Sequence, residues 1–171
     1  MAKNKPKATD FLDALAKSGS GACRRLGKGE TANVRFLYEV DAEGAPGWRT
    51  LSVFFDEEAQ RSFYFESDND APQGATPRTA FFAVAYDVDT KETNVWEFRK
   101  SLVQELNEHR LKYGTITDRN YRLRRMGEGL QTKYRADDGD EQPMSKGMKK
   151  AQDKNSSLIE EVLDELLEYA A

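Results

Sequence analysis

The chain is poor in the residues that disulfides, metal centres and nucleophilic triads require. Its 171 residues include one cysteine, Cys23, and one histidine, His109. A lone cysteine excludes an internal disulfide and a cysteine-based zinc site. A lone histidine argues against a histidine-rich metal centre or a Ser-His-Asp triad. No run of about 18 apolar residues occurs, so no membrane-spanning helix is expected. The basic start, Met1 to Lys7, is followed by no apolar run, which argues against a secretory signal and for a cytoplasmic protein. Gly27-Lys28-Gly29 has too few glycines, wrongly spaced, for a phosphate loop. Carboxylates such as Asp56, Glu57, Glu58, Asp68 and Asp70 fall in turn-like stretches and form no paired catalytic set. No cofactor is expected, and the chain does not read as an enzyme.

What it does have is charge, unevenly spread, and aromatic residues. Thirty acidic and 26 basic side chains give a net charge of −4. Residues 137–171 hold ten of the acids and four of the bases, which leaves a body of net +2. A mildly basic body with an acidic end differs from a uniformly acidic enzyme.

Hydrophobic periodicity divides the chain into four parts. Residues 1–8 have the composition of a disordered segment. From 9 to 136 a short helix (Phe11, Leu12, Leu15), stopped by Ser18–Gly21, precedes mostly strand-like stretches. Val34, Phe36, Tyr38 and Val40 alternate with other residues, as a strand with one buried face requires. Beyond a turn at Glu43–Gly47, further strands are expected around Leu51–Phe55, Ser62–Glu66 and Ala80–Val88. Asn94–Phe98 returns as the second arm of a hairpin. Residues 101–112 switch to helical spacing, with Ser101 and Gln104 as a capping box and Gly114 as the stop. A last hairpin joins Asn120–Met126 to Leu130–Arg135 through Gly127-Glu128-Gly129. Residues 137–154 show no apolar period and read as a charged linker; 155–171 read as an acidic amphipathic helix opened by Ser157 and Glu160. A mainly β chain with one helix before its final strands suggests an OB-like, partly open small β-barrel. A β-sandwich or an α+β roll would give similar patterns.

The most informative stretch is Arg119–Arg135, where Arg119, Arg122, Arg124, Arg125, Lys133 and Arg135 face a single acid, Glu128. Arg122 and Arg124 share one face of their strand, as do Lys133 and Arg135 of theirs; if the faces coincide, the hairpin presents a basic strip beside Tyr121 and Tyr134. Cations on phosphates and rings on bases are how single strands are held. The same residues also fit an ordinary wet face over an apolar core. Neighbouring rings such as Phe54-Phe55 and Phe81-Phe82 must point to opposite faces, so a second aromatic face needs a cover: a helix, a partner or bases. Trp96, and less so Trp48, are candidate stacking rings; Arg24, Arg25 and Lys28 could extend the basic path; His109 reads as solvent-exposed. Ile159, Val162, Leu163 and Leu166 line one face of the terminal helix and could dock a partner, or simply pack on the body.

Asn94 to Phe98, a helix, then Asp118 to Tyr134 resemble the single-stranded DNA-binding proteins of bacteriophages. There a strand of the type I-x-R-x-G-x-G is followed by T-x-Y, and Arg125, Gly127, Gly129, Thr132 and Tyr134 match it. The resemblance spans residues 80–136. It implies an OB-like core and sequence-independent coating of single-stranded DNA (host cytoplasm, if phage-encoded) in replication, recombination or repair. It also implies an acidic C-terminal end that recruits replication or recombination proteins. Some members carry a zinc site, which this chain cannot build from cysteine, and its hydrophobic helical end departs from a disordered acidic tail. RNA in place of DNA, and self-association along the strand, stay open. The rival expectation is an adaptor that docks on a polymerase or another replication or transcription protein through its terminal helix.

Overall fold

The computed structural model describes residues 23–40 and 47–170. The expected disordered start, the helix of Phe11, Leu12 and Leu15 with its Ser18–Gly21 stop, and most of the Glu43–Gly47 turn lie outside the described residues.

Among the described residues eight strands and three α-helices follow one another: β1 (Cys23–Arg24), β2 (Thr31–Phe36), β3 (Trp48–Asp56), β4 (Arg61–Phe65), β5 (Arg78–Asp87), β6 (Thr93–Phe98), α1 (Lys100–Tyr113), β7 (Arg119–Met126), β8 (Lys133–Glu141), α2 (Lys146–Lys154) and α3 (Leu158–Ala170). The strands form one open sheet in the order β1-β6-β5-β2-β7-β8, antiparallel except for β1 beside β6. β5 is the hub. One of its edges pairs with β6, while the other is shared: its first half pairs with β3 and its last residues with β2. The sheet therefore forks into a β3–β4 wing and a β2–β7–β8 wing. Among the described residues no helix is long and apolar enough to cross a membrane.

Strand alternation sends the apolar residues of the central strands to two covered faces. On one face Val34, Phe36, Ala83, Trp96, Phe98, Tyr121, Leu123 and Ala136 meet Leu102 and Leu106 of α1. On the other, Leu51, Val53, Tyr64, Phe82, Val84 and Val95 meet Ile159, Val162, Leu163 and Leu166 of α3 and Met148 of α2. This double burial is why Ala80–Asp87 is almost continuously apolar in sequence. The alternation expected for Phe81-Phe82 holds: Phe82 enters the α3-side core and Phe81 packs against the α1-side core.

Two features of the sequence reading are corrected. The expected linker 137–154 is ordered structure: β8 runs on to Glu141 and α2 follows. β8 is an edge strand with mostly charged outward residues, so it leaves no apolar period to read. Ser145 caps α2 by accepting from the Met148 N–H at 3.2 Å, and Gln152 Nε2 donates to Leu37 O at 2.6 Å. Buried Arg35 locks the same region, donating to Thr117 O at 2.8 Å, to Asn120 Oδ1 at 3.2 Å and to Gln142 O. The second correction concerns α1. It starts one residue earlier than the Ser101 box, at Lys100, and its N-cap, Arg99, makes no side-chain capping bond. Gly114 does end it, in the left-handed conformation at φ 79°.

Candidate nucleic-acid interface

The β7–β8 register decides how the basic hairpin is displayed. Arg122 lies opposite Asp137, Arg124 opposite Arg135 and Met126 opposite Lys133, so Arg122, Arg124, Lys133 and Arg135 do share one face. Half of that strip is already neutralised. Arg124 Nε lies 2.6 Å from Asp137, and Arg135 Nε lies 3.2 Å from Glu105 of α1. Arg122 and Lys133 are exposed and meet no carboxylate among the described residues. Arg125 points to the other face, directly opposite Tyr134, with its guanidinium 5.9 Å from that ring and 3.3 Å from Leu26 O. The turn that fixes the hairpin's tip needs Gly127: its φ is 81°, and a Cβ there would come within 2.3 Å of Gln131 O.

The proposed stacking rings are divided by burial. Tyr121 is 1 % exposed, wedged between Phe36 and His109, and burial pushes its phenol well above the ordinary range. Trp96, also 1 % exposed, stacks on Phe98 at 6.1 Å. Trp48 is buried and donates through Nε1 to Tyr38 O. None of the three can reach a base without unfolding the core they build. Tyr134 alone remains partly open. His109 is not solvent-exposed as expected, but half-buried, with its ring nitrogen 2.8 Å from Ala136 O.

The expected extension of the basic path is neutralised too. Arg24 pairs with Asp87 at 3.1 Å and lies over the Trp96 ring; Arg25 pairs with Glu97 at 2.8 Å; Lys28 pairs with Glu128. The partner-docking stripe is corrected for the same reason. Ile159, Val162, Leu163 and Leu166 are all buried in the α3-side core, and the acidic ridge of Glu160, Glu161, Asp164, Glu165 and Glu168 faces outward.

Against this pattern of paired cations, one place stands apart. A cleft of about 630 Å³ opens between the starts of β5 and α1 and the β7–β8 tip. It is lined by Arg78, Arg99, Lys100 and Arg125, by Tyr134, by the hydroxyl-bearing Thr79, Ser101 and Thr132, and by Gly129. Among the described residues no carboxylate lines it. Arg49, Arg119, Arg124 and Arg135 each hold an acid, whereas Arg78, Arg99 and Lys100 meet none among the described residues. The uncapped first turn of α1 adds the positive end of a 14-residue helix. Cations gathered without a counter-charge repel one another, so the cleft is arranged for an anion with several oxygens.

Sequence reasoning found Arg125 and Tyr134 and missed Arg78, Arg99 and Lys100. The fold brings these together from β5 and the β6–α1 junction. One signal was visible: Arg99 and Lys100 stand at the beginning of a helix, the end whose dipole disfavours cations. Compared with known proteins, the chain matches no family model, no curated protein and no solved structure.

Proposed function

We propose that this protein binds single-stranded DNA without sequence preference, as a coating factor in replication, recombination or repair, and that it is not an enzyme. The observation that carries the reading is the cleft in which cations gather with no carboxylate among the described residues. Arg78, Arg99, Lys100, Arg125 and the α1 N-terminus would hold backbone phosphates, with Tyr134 against a base. Arg122 and Lys133, which meet no carboxylate among the described residues, lie on the far side of the same hairpin and would continue the path. The motif Arg125, Gly127, Gly129, Thr132 and Tyr134, which suggested phage single-stranded DNA-binding proteins, has all of its members but Gly127 on the cleft wall, with the Arg125 guanidinium 5.9 Å from the Tyr134 ring. An OB-like ancestry belongs to this proposal, supported by the forked, mostly antiparallel sheet with a helix between β6 and β7. The adaptor reading has less support, because its docking stripe is spent in the core and only the acidic ridge of α3 is left for a basic partner.

The test is fluorescence anisotropy of a labelled mixed-sequence single-stranded oligonucleotide, titrated over a range of salt with duplex as control. Each phosphate contact on a single strand contributes about −0.7 to the slope of log K against log salt. Arg99→Ala with Lys100→Ala is therefore expected to weaken binding and flatten the slope by about 1.4. Arg124→Ala, which removes an arginine already paired with Asp137, is expected to change far less. No binding by the full chain at low salt, or an unchanged slope in the double variant, would overturn the proposal.

A further inference from the structure

The β3–β4 hairpin carries three aromatic rings on one face, Phe54, Phe63 and Phe65, that neither core uses. Register places Phe54 opposite Phe63 and Ser52 opposite Phe65, so all three rings lie on one face of the wing. Tyr64, on the other face, enters the α3-side core. Phe54, Phe63 and Phe65 are only partly buried and pack into neither of the two cores. Among the described residues no helix crosses that face, since α3 meets β4 on its Tyr64 side and α1 leans on β8 and β5.

We propose that this face is a stacking platform for unpaired bases of the strand whose backbone lies in the cleft; the proposal rests on the single-strand-binding reading above. Continuity with the cleft is the first argument. Ser52 pairs with Thr79, a cleft residue, so the row Thr79, Ser52, Phe65 leads from cleft to platform. That is two strand spacings, about 10 Å. Charge complementarity is the second. The cleft's cations, which meet no carboxylate among the described residues, select a polyanion, and the Arg61 guanidinium lies 4.1 Å from the Phe63 ring centroid at the platform. Two acids near the wing already accept hydrogen bonds: Asp56 from the Glu58 and Ala59 N–H groups of its own turn, and Asp68 from the hydroxyl of Ser52 on β3. Rings also suit the expected lack of sequence preference, because every base has a π-face. A duplex hides those faces inside its own stack, so the platform selects single strands over double.

The experiment uses the full chain and two oligonucleotides of equal length, one of mixed sequence and one abasic throughout. The variants are Phe63→Leu, Phe65→Leu and Phe63→Trp, with Arg99→Glu as the cleft variant. A lost stack is expected to weaken binding about five-fold or more. Phe63→Leu and Phe65→Leu should show that loss on the mixed-sequence strand and none on the abasic strand, whereas Arg99→Glu should weaken both. Phe63→Trp should keep affinity, and its emission should be quenched by the mixed-sequence strand only; the native Trp48 and Trp96, buried at 6 % and 1 % exposure, should not respond. Leucine variants that bind the mixed-sequence strand as tightly as the parent, while Arg99→Glu fails, would overturn the platform and leave the cleft standing. Equal losses on both strands, or a change in oligomeric state without a change in affinity, would also overturn it. A parent protein that binds neither strand would overturn both readings.

Discussion

Leu163→Ala separates a helix that belongs to the core from one that waits for a partner. Leu163 is 1 % exposed, and it lies among Val162, Leu166 and the β3–β6 residues of the α3-side core. Truncating a buried leucine removes its transfer free energy and leaves a cavity, at a cost of about 2–5 kcal/mol. A loss of about 3 kcal/mol within that range, divided by a urea slope of about 2 kcal/mol/M, lowers the denaturation midpoint by about 1.5 M. The same loss lowers Tm by about 6–12 °C for a chain of this size. Circular dichroism in urea, with the slope fitted separately for each protein, measures it. Binding of the oligonucleotide under native conditions should be unchanged, because the α3-side core lies on the face opposite α1 and the cleft. A midpoint within about 0.3 M of the parent would mean that the helix is not packed as described, and it would restore the adaptor reading. Deleting residues 155–171 cannot serve in its place, since that would strip the cover from Leu51, Val53, Phe82 and Val84. The informative changes outside the core are on the ridge: Glu161, Asp164, Glu165 and Glu168.

Two further outcomes follow from local geometry. Gly127→Ala forces a side chain into a left-handed residue and onto Gln131 O, so a loss of at least about 2 kcal/mol is expected, read as a lower urea midpoint. Because the hairpin tip borders the cleft, oligonucleotide affinity should fall with it. The pH dependence centres on Asp118, whose carboxylate takes two bonds of 2.9 Å from the Arg119 guanidinium and is thereby held below its ordinary value of 3.8. A carboxylate with a depressed folded-state pKa contributes stability that is full above the unfolded value and lost as pH falls through the folded one. Asp118→Asn should therefore be less stable than the parent at about pH 6, and the two should converge below about pH 4. A difference that persists in acid would refute the charge-based account.

What was legible in the sequence was whatever periodicity writes down. The β5–β6 hairpin, the α1 stripe of Leu102 and Leu106, the stop at Gly114 and the common face of Arg122, Arg124, Lys133 and Arg135 all follow from spacing alone. Burial was not legible where two faces are covered. Tyr121 and Trp96 sit in strands whose alternation allows either direction, and only the position of α1 makes that face interior. Pairing was hidden as well, since Glu105, Asp137 and Glu97 lie 30, 13 and 72 residues from the arginines they neutralise. The cleft was out of reach for the same reason: Arg78 and Arg125 are neighbours only because β5 and the β7–β8 tip converge on the α1 N-terminus.

The shared edge of β5 also bears on how the chain is made. β2 lies between β5 and β7, so neither of its long edges is filled until residue 87 and then residue 126 have been synthesised. At roughly 5–20 residues per second, the wait from Phe36 to Met126 lasts about 5–18 s. Throughout it Val34 and Phe36, destined for the α1-side core, are carried on an unpaired strand. Such an edge is an aggregation hazard, and pairings this distant in sequence form slowly. Chains interrupted between β6 and β7 should therefore be the form of this protein most dependent on a chaperone, whatever the stability of the finished molecule.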